Sequence, residues 1–170
     1  DSAGPLPALG PRAPHDAIAA AIKVTSHADF GVITNTGRLL RARAIELPTV
    51  PVTTTAPNLQ GGSAAQELWA LESGERVVGL TSLDPGGPGL ALGTMRGVVK
   101  RVNPEVMGKD SWDVIRLDEG DEVVSAVELT APHLAFVTSD AHLLHFSAGL
   151  VRPQGRLGGG VAGVKLADGA

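Results

Sequence analysis

Nine of the fourteen lysines and arginines in this 170-residue chain fall in three short segments that contain no Asp or Glu. Residues 36–43 carry Arg38, Arg41 and Arg43, residues 95–102 carry Arg96, Lys100 and Arg101, and residues 151–165 carry Arg152, Arg156 and Lys165. Guanidinium and ammonium groups gathered in this way can neutralise phosphate without reading a base. The acids collect elsewhere, at Asp110, Asp113, Asp118, Glu119, Asp121 and Glu122, so the formal net charge of −4 speaks against a uniformly basic binder but conceals a segregated surface. Other chemistry is thinly supplied. Cysteine is absent, which removes disulfides, thiolate nucleophiles and thiolate metal sites and fits a reducing compartment. Tyrosine is absent too, and there is no Gly-x-Ser-x-Gly elbow, phosphate-loop motif or His-Glu-x-x-His. The acidic cluster lacks the ligand spacing of a calcium loop and reads as a solvated turn.

Two of the basic segments belong to a word written three times: Thr34-Asn35-Thr36-Gly37-Arg38-Leu39-Leu40-Arg41, Thr94-Met95-Arg96-Gly97-Val98-Val99-Lys100-Arg101 and Thr138-Ser139-Asp140-Ala141-His142-Leu143-Leu144-His145. Each copy has an apolar run before it, a tight turn, and an apolar pair after it, which is a β-hairpin signature. Gly37 and Gly97 supply the φ > 0 that such a turn needs, so the third turn, with Ala141, is expected to differ or to be strained. A second word, Leu71-Glu72-Ser73-Gly74-Glu75-Arg76-Val77-Val78, recurs as Leu117-Asp118-Glu119-Gly120-Asp121-Glu122-Val123-Val124 and begins again at Leu166-Ala167-Asp168-Gly169. The offsets are 60 and 44 residues for the hairpin word, and 46 and 49 for the Gly-acid word. Such periods, with about four short strands per unit, mark a propeller-like array of small sheets.

The predicted class is therefore all-β, with three four-stranded antiparallel blades over approximately 17–71, 72–117 and 118–170 of a longer array. The expected strands are 18–25, 30–35, 38–43 and 66–71, then 75–82, 89–95, 97–102 and 112–117, then 121–128, 133–139, 142–147 and 161–166. Residues 1–16, with Pro5, Pro7, Pro11 and Pro14, read as an arm or linker. Trp69 and Trp112 fall in corresponding outer strands and read as packing between blades. No apolar run is long enough to cross a membrane, and the first residues lack the layout of a signal peptide.

The stretches Val151-Arg152-Pro153-Gln154-Gly155-Arg156 and Gly160-Val161-Ala162-Gly163-Val164-Lys165-Leu166-Ala167-Asp168-Gly169 resemble the blade-closing pattern of the C-terminal domain of bacterial type IIA topoisomerase A subunits, those of gyrase and topoisomerase IV. The hairpin and Gly-acid words resemble strands of the same family, in the same order, over roughly 15–170, and within it the chain looks most like the A subunits of high-GC Gram-positive bacteria. The resemblance implies a β-pinwheel that binds and orients duplex DNA, and bends it, through basic residues on its rim. It implies a parent enzyme that is an ATP-hydrolysing type II topoisomerase, a heterotetramer with an ATPase B subunit, using ATP and Mg through other domains, cytoplasmic and associated with the nucleoid. This segment itself would hold no cofactor and cut no DNA, because the family cleaves with a tyrosine. Gyrase wraps DNA fully through a box of the form Gln-Arg-Arg-Gly-Gly-x-Gly. Gln154-Gly155-Arg156-Leu157-Gly158-Gly159-Gly160 keeps part of it, so a topoisomerase IV-like role is expected.

The nine basic residues are the candidate DNA contacts. Strand alternation places Arg41, Lys100 and Arg101 at the rim, where the ordinary alternative is solubilising charge on an edge strand. Arg152, Arg156 and Lys165 flank a glycine-rich loop whose amides can approach phosphate. His145 takes the place of Arg41 and Arg101, so the third hairpin would engage phosphate only when that imidazole is protonated. If most of the nine touch phosphate, log affinity should fall steeply with log salt, with a slope of up to about −8 at ~0.9 per contact. Replacing Lys100 and Arg101 with Ala should then weaken all duplexes equally. A protein-interaction propeller with weak or no DNA binding is the competing reading.

Overall fold

The computed structural model describes residues 18–49 and 62–166. The Pro-rich arm over 1–16 lies outside them, as do the last residues of the third Gly-acid word. The strands are β1 (Asp29–Thr34), β2 (Arg38–Arg43), β3 (Val77–Ser82), β4 (Leu90–Thr94), β5 (Val98–Val102), β6 (Ser111–Asp113), β7 (Val123–Glu128), β8 (His133–Val137), β9 (Leu143–Ser147), β10 (Pro153–Gln154) and β11 (Val161–Ala162). A four-residue helix, α1 (Ala65–Leu68), and 3-10 turns at Ala44–Glu46 and Ala148–Leu150 complete the described elements. The class is all-β, as expected.

All three hairpin words form antiparallel pairs, β1 with β2, β4 with β5 and β8 with β9. Each turn closes in the same way, with the N–H of Gly37, Gly97 or Ala141 donating at 3.0 Å to the carbonyl of the threonine three residues before. The threonine is repeated because its hydroxyl also ties down the residue four ahead: Thr34 Oγ1 donates to the Arg38 carbonyl, and Thr94 and Thr138 Oγ1 accept from the N–H of Val98 and His142. The closing residue is left-handed in each, with φ of 79° at Gly37, 80° at Gly97 and 64° at Ala141. The third turn therefore does not differ; it carries strain. A left-handed alanine costs ~1–2 kcal/mol and the extra freedom of glycine when unfolded returns ~0.4–1. Ala141→Gly is thus expected to gain about 0.5 kcal/mol, read as a higher urea midpoint at unchanged slope.

The sheets are out of step with the repeats. The first has the order β3-β1-β2-β6 and the second β10-β5-β4-β7, with β11 also on β5. Each of the first two hairpins takes one flanking strand from the Gly-acid word that follows it, β3 beside β1 and β7 beside β4. The opposite edge is closed from the tail of the next unit, by β6 on β2 and by β10 and β11 on β5. The unit limits at 71/72 and 117/118 therefore cut through sheets. Four expected strands change as well. Residues 18–25 form none, although Ile22 and Val24 pack on the first sheet. Residues 66–71 give way to α1, because Ala65-Gln66-Glu67-Leu68 are helix formers without a β-branched member. The stretches 112–117 and 161–166 shorten to β6 and β11.

Successive side chains on a strand face opposite ways, so each sheet has two apolar faces to bury. Phe30, Val32, Leu40 and Ala42 of the first sheet pack under Ile22, Val24, Trp69 and Leu71, and Trp69 meets Phe30 edge-on at 6.3 Å. Its other face, with Ile33, Leu39 and Trp112, packs against Leu90, Leu92, Val102, Val123 and Ala126 of the second sheet. Trp112 thus lies between sheets, as expected. Ala91 and Val99, on the far face of the second sheet, meet Leu134 of the third hairpin. The β3 and β7 backbones touch: a Cβ at Gly79 would fall 2.3 Å from the Ala126 carbonyl oxygen.

Candidate functional site

The nine candidate cations do not share one surface. Lys100 is 0% exposed, and its ammonium donates to the carbonyls of Val114 at 2.7 Å, Arg156 at 3.0 Å and Gly158 at 2.7 Å. Burial pushes its pKa down to about 8. It occupies the place that Leu40 holds in the first hairpin, so no phosphate reaches it while the sheet is intact. Its placement at the rim is corrected accordingly. Adjacent strand residues face opposite sides, and Lys100 and Arg101 could not both have been on the rim.

Arg41 and Arg101 follow one rule. Each sits opposite a small residue, Gly31 or Ala91, on the neighbouring strand. Each then reaches a loop of the next unit: Arg41 donates to the carbonyls of Met107 and Lys109 and to Asp29 at 2.8 Å, with its guanidinium 5.8 Å over Trp112. Arg101 donates at 3.1 Å to the carbonyls of both Ala148 and Val151. The hairpin words stand 44 residues apart in the last two units, and so do Met107 and Val151. The same arginine therefore pegs the same loop twice. At the equivalent place in the third hairpin, His145 stacks on His133 at 5.0 Å and is exposed.

Arg38 is committed as well. Its Nε and Nη2 meet the Glu75 carboxylate at 3.0 and 2.5 Å, and Nη2 also donates to the Ala70 carbonyl. The Glu75 side chain is 1% exposed and accepts further bonds from Thr36 Oγ1 and the Glu72 N–H. Burial alone would raise its pKa, but Arg38, the Glu72 amide and the Thr34 and Thr36 hydroxyls outweigh it and hold the group down to about 2. The Gly-acid word is thus the socket for a hairpin turn. In the second copy Asp121 accepts from the N–H groups of Arg96 and Glu122. Asn35 links both copies, accepting from the Arg76 N–H at 2.8 Å and donating to Glu122 Oε2 at 3.1 Å, while Arg76 pairs with Glu122 at 2.7 Å. Glu122 is lowered by the Arg76 bond first and by Asn35 second. Asp121 and Glu122 are therefore half-buried structural groups and not a solvated turn.

Arg96, Arg152 and Lys165 are exposed, Arg156 is half-buried, and none of the four has a carboxylate within ion-pair distance among the described residues. Arg43 is exposed with a loose 3.5 Å pair to Glu46. Three of these five, Arg152, Arg156 and Lys165, flank the glycine-rich loop 154–160. That loop is closed on itself: Gln154 Oε1 accepts from the Gly160 N–H at 3.0 Å, and the Gly158 N–H reaches the Gly155 carbonyl at 3.1 Å. Exposed Arg116 is brought beside it, its own N–H donating to the Gly158 carbonyl at 3.3 Å. Sequence reasoning missed Arg116 because it lies outside the acid-free segments, between Val114-Ile115 and the acidic turn. Its offset of 42 residues from Gly158 follows the repeat period only loosely.

A family model described as DNA gyrase C-terminal domain, beta-propeller, matches residues 114–128 and 132–170. The DNA gyrase A subunit of Aminobacterium colombiense is 32% identical over 157 residues, which is 89% of this chain and 18% of that protein. Its Helicobacter pylori counterpart is 33% identical over 141 residues, 79% of this chain and 16% of that protein. The chain thus spans under a fifth of these relatives. A solved DNA gyrase A C-terminal domain superposes with a TM-score of 0.60 at 25% identity, over 86% of this chain and 46% of that one. The C-terminal domain of DNA topoisomerase IV has the same fold, with a TM-score of 0.68 at 21% identity, over 85% of this chain and 45% of that one. Repeated hairpins, shared strands and these likenesses agree: the chain belongs to the C-terminal β-pinwheel domains of type IIA topoisomerase A subunits.

Proposed function

We propose that this chain binds duplex DNA through phosphate contacts, without base reading, and orients a DNA segment for a type II topoisomerase. The observation that carries the reading is the division of its cations. Arg38, Arg41, Lys100 and Arg101 hold the sheets together, while Arg43, Arg96, Arg152, Arg156 and Lys165 are left for a partner, and Arg116 joins those around the loop 154–160. Strand cleavage, ATP and Mg chemistry and pairing with a B subunit belong, in this reading, to other parts of a cytoplasmic enzyme. The partial box at 154–160 favours binding and orienting over full wrapping.

With six cations available instead of nine, log affinity for a mixed-sequence duplex is expected to fall with log salt with a slope of about −5, at ~0.9 per contact. Titration of the full chain by fluorescence anisotropy at several salt concentrations measures it. No binding at low salt would sink the proposal. A second reading, contact with another protein, draws on the third hairpin, where Val137 and Leu143 are 74% and 68% exposed. It predicts duplex affinity indifferent to loss of Arg152 and Arg156.

A further inference from the structure

The hairpin words align residue for residue, and the third replaces an ion pair of the first. Arg41 donates to Asp29 at 2.8 Å across β1 and β2. The offset of 104 residues that carries Thr34 to Thr138 also carries Asp29 to His133 and Arg41 to His145. His145 faces a small residue just as Arg41 does, Ala135 in place of Gly31. With no carboxylate in the place of Asp29, its ring lies against that of His133, the centroids 5.0 Å apart and the planes 25° from parallel. The register accounts for the contact: His133 stands opposite Ser147 and His145 opposite Ala135, so the two imidazoles are diagonal neighbours on one exposed face of the hairpin. Neither ring has a hydrogen-bond or ion-pair partner among the described residues. The side-chain bonds of this hairpin run instead through Thr138, Asp140, His142 and Ser147.

We propose that His133 and His145 together bind a divalent late transition-metal ion of the zinc, nickel and copper class. Imidazole is the commonest protein ligand of these ions, and the two rings present nitrogens that no other protein group occupies. Two nitrogens held ~2.0–2.1 Å from one tetrahedral ion stand about 3.3 Å apart. Rings with centroids 5.0 Å apart therefore need a turn about each Cβ–Cγ bond and no shift of the strands, and both are exposed, which leaves room for that turn. No third His, Asp or Glu joins them among the described residues, so water completes the coordination and the ion exchanges with solvent. The site has a structural consequence. β8 and β9 form a two-stranded sheet by themselves, which is marginal in water, and their turn carries the left-handed Ala141. An ion held from both strands ties them where the first hairpin has its Arg41–Asp29 pair. This holds whether or not the chain binds duplex DNA.

The test is titration of the full chain with zinc chloride at neutral pH, followed through the ring-proton NMR signals of its five histidines. The His133 and His145 signals are expected to change together and saturably, and the urea midpoint to rise with zinc. His133→Ala and His145→Ala should each weaken binding by more than about tenfold, since loss of a residue that merely orients a ligand already costs roughly 10–100-fold. The paired replacement His133→Asp with His145→Arg rebuilds the ion pair of the first hairpin. It should keep a native amide spectrum and lose the zinc response, which separates loss of the ligands from loss of the fold. Zinc that changes only the signals of other histidines, such as His27 or His142, overturns the site. So does a paired variant that binds zinc as tightly as wild type, or the absence of any histidine response in large excess of zinc.

Discussion

Glu75→Gln is expected to destabilise the chain by about 3 kcal/mol, measured by urea unfolding at pH 7, because it removes the buried member of the Arg38 ion pair and leaves the half-buried guanidinium only the looser 3.7 Å contact with exposed Glu72. The carboxylate is also an acceptor for Thr36 and for the Glu72 amide, and a carboxamide cannot accept from all of them. The same group sets an acid limit. Its folded pKa, about 2, lies below the ordinary 4.5, so its stabilisation is fully present above the ordinary value and is lost as pH falls towards 2. The lost interval corresponds to about 3 kcal/mol, of which about 2 is gone by pH 3. Unfolding of wild type and Glu75→Gln at pH 7 and pH 3 should therefore converge: a wild type that loses no more than the variant on acidification contradicts the assignment.

Joint replacement of Lys100 and Arg101 by Ala is expected to cost about 4 kcal/mol, since five charge-assisted bonds to carbonyls disappear and buried acceptors remain. This is a large fraction of the ~5–15 kcal/mol by which folded domains are stable. Any loss of duplex affinity would then appear together with a lowered urea midpoint. Replacement of Arg152 instead should lower affinity and the salt slope by about one contact while leaving the midpoint in place. If the double variant unfolds like wild type and only its affinity drops, the pegging role is wrong and both side chains belong to the binding surface.

The hairpins were legible because everything that forms them is local. Thr34 and Thr94, the left-handed glycines and the flanking Leu and Val pairs act within eight residues. The Gly-acid word was legible as a repeat but not in its purpose, since Glu75 answers to Arg38 at a separation of 37 residues. The rim placement of Lys100 overlooks that it shares its position in the word with Leu40, the one sign in the sequence that the lysine lies indoors. Which strand closes which sheet could not be read, because β6 is three residues long and β10 two, too short for a periodic signal. The surface left for a partner could be found only by removing the cations that the fold itself uses.

The sharing of strands also governs how the chain is made. Arg38 pairs with Asp113, 75 residues further along. At ~5–20 residues per second of synthesis, β2 stands without its outer neighbour for about 4–15 s after it leaves the ribosome. A bare strand edge pairs with whatever strand it meets, and charged side chains on it are the ordinary protection. Arg38, Arg41 and Arg43 lie on that one strand. Until Glu75 and Met107 are made, these three charges are placed to keep the newborn edge from pairing with the next chain on the polysome.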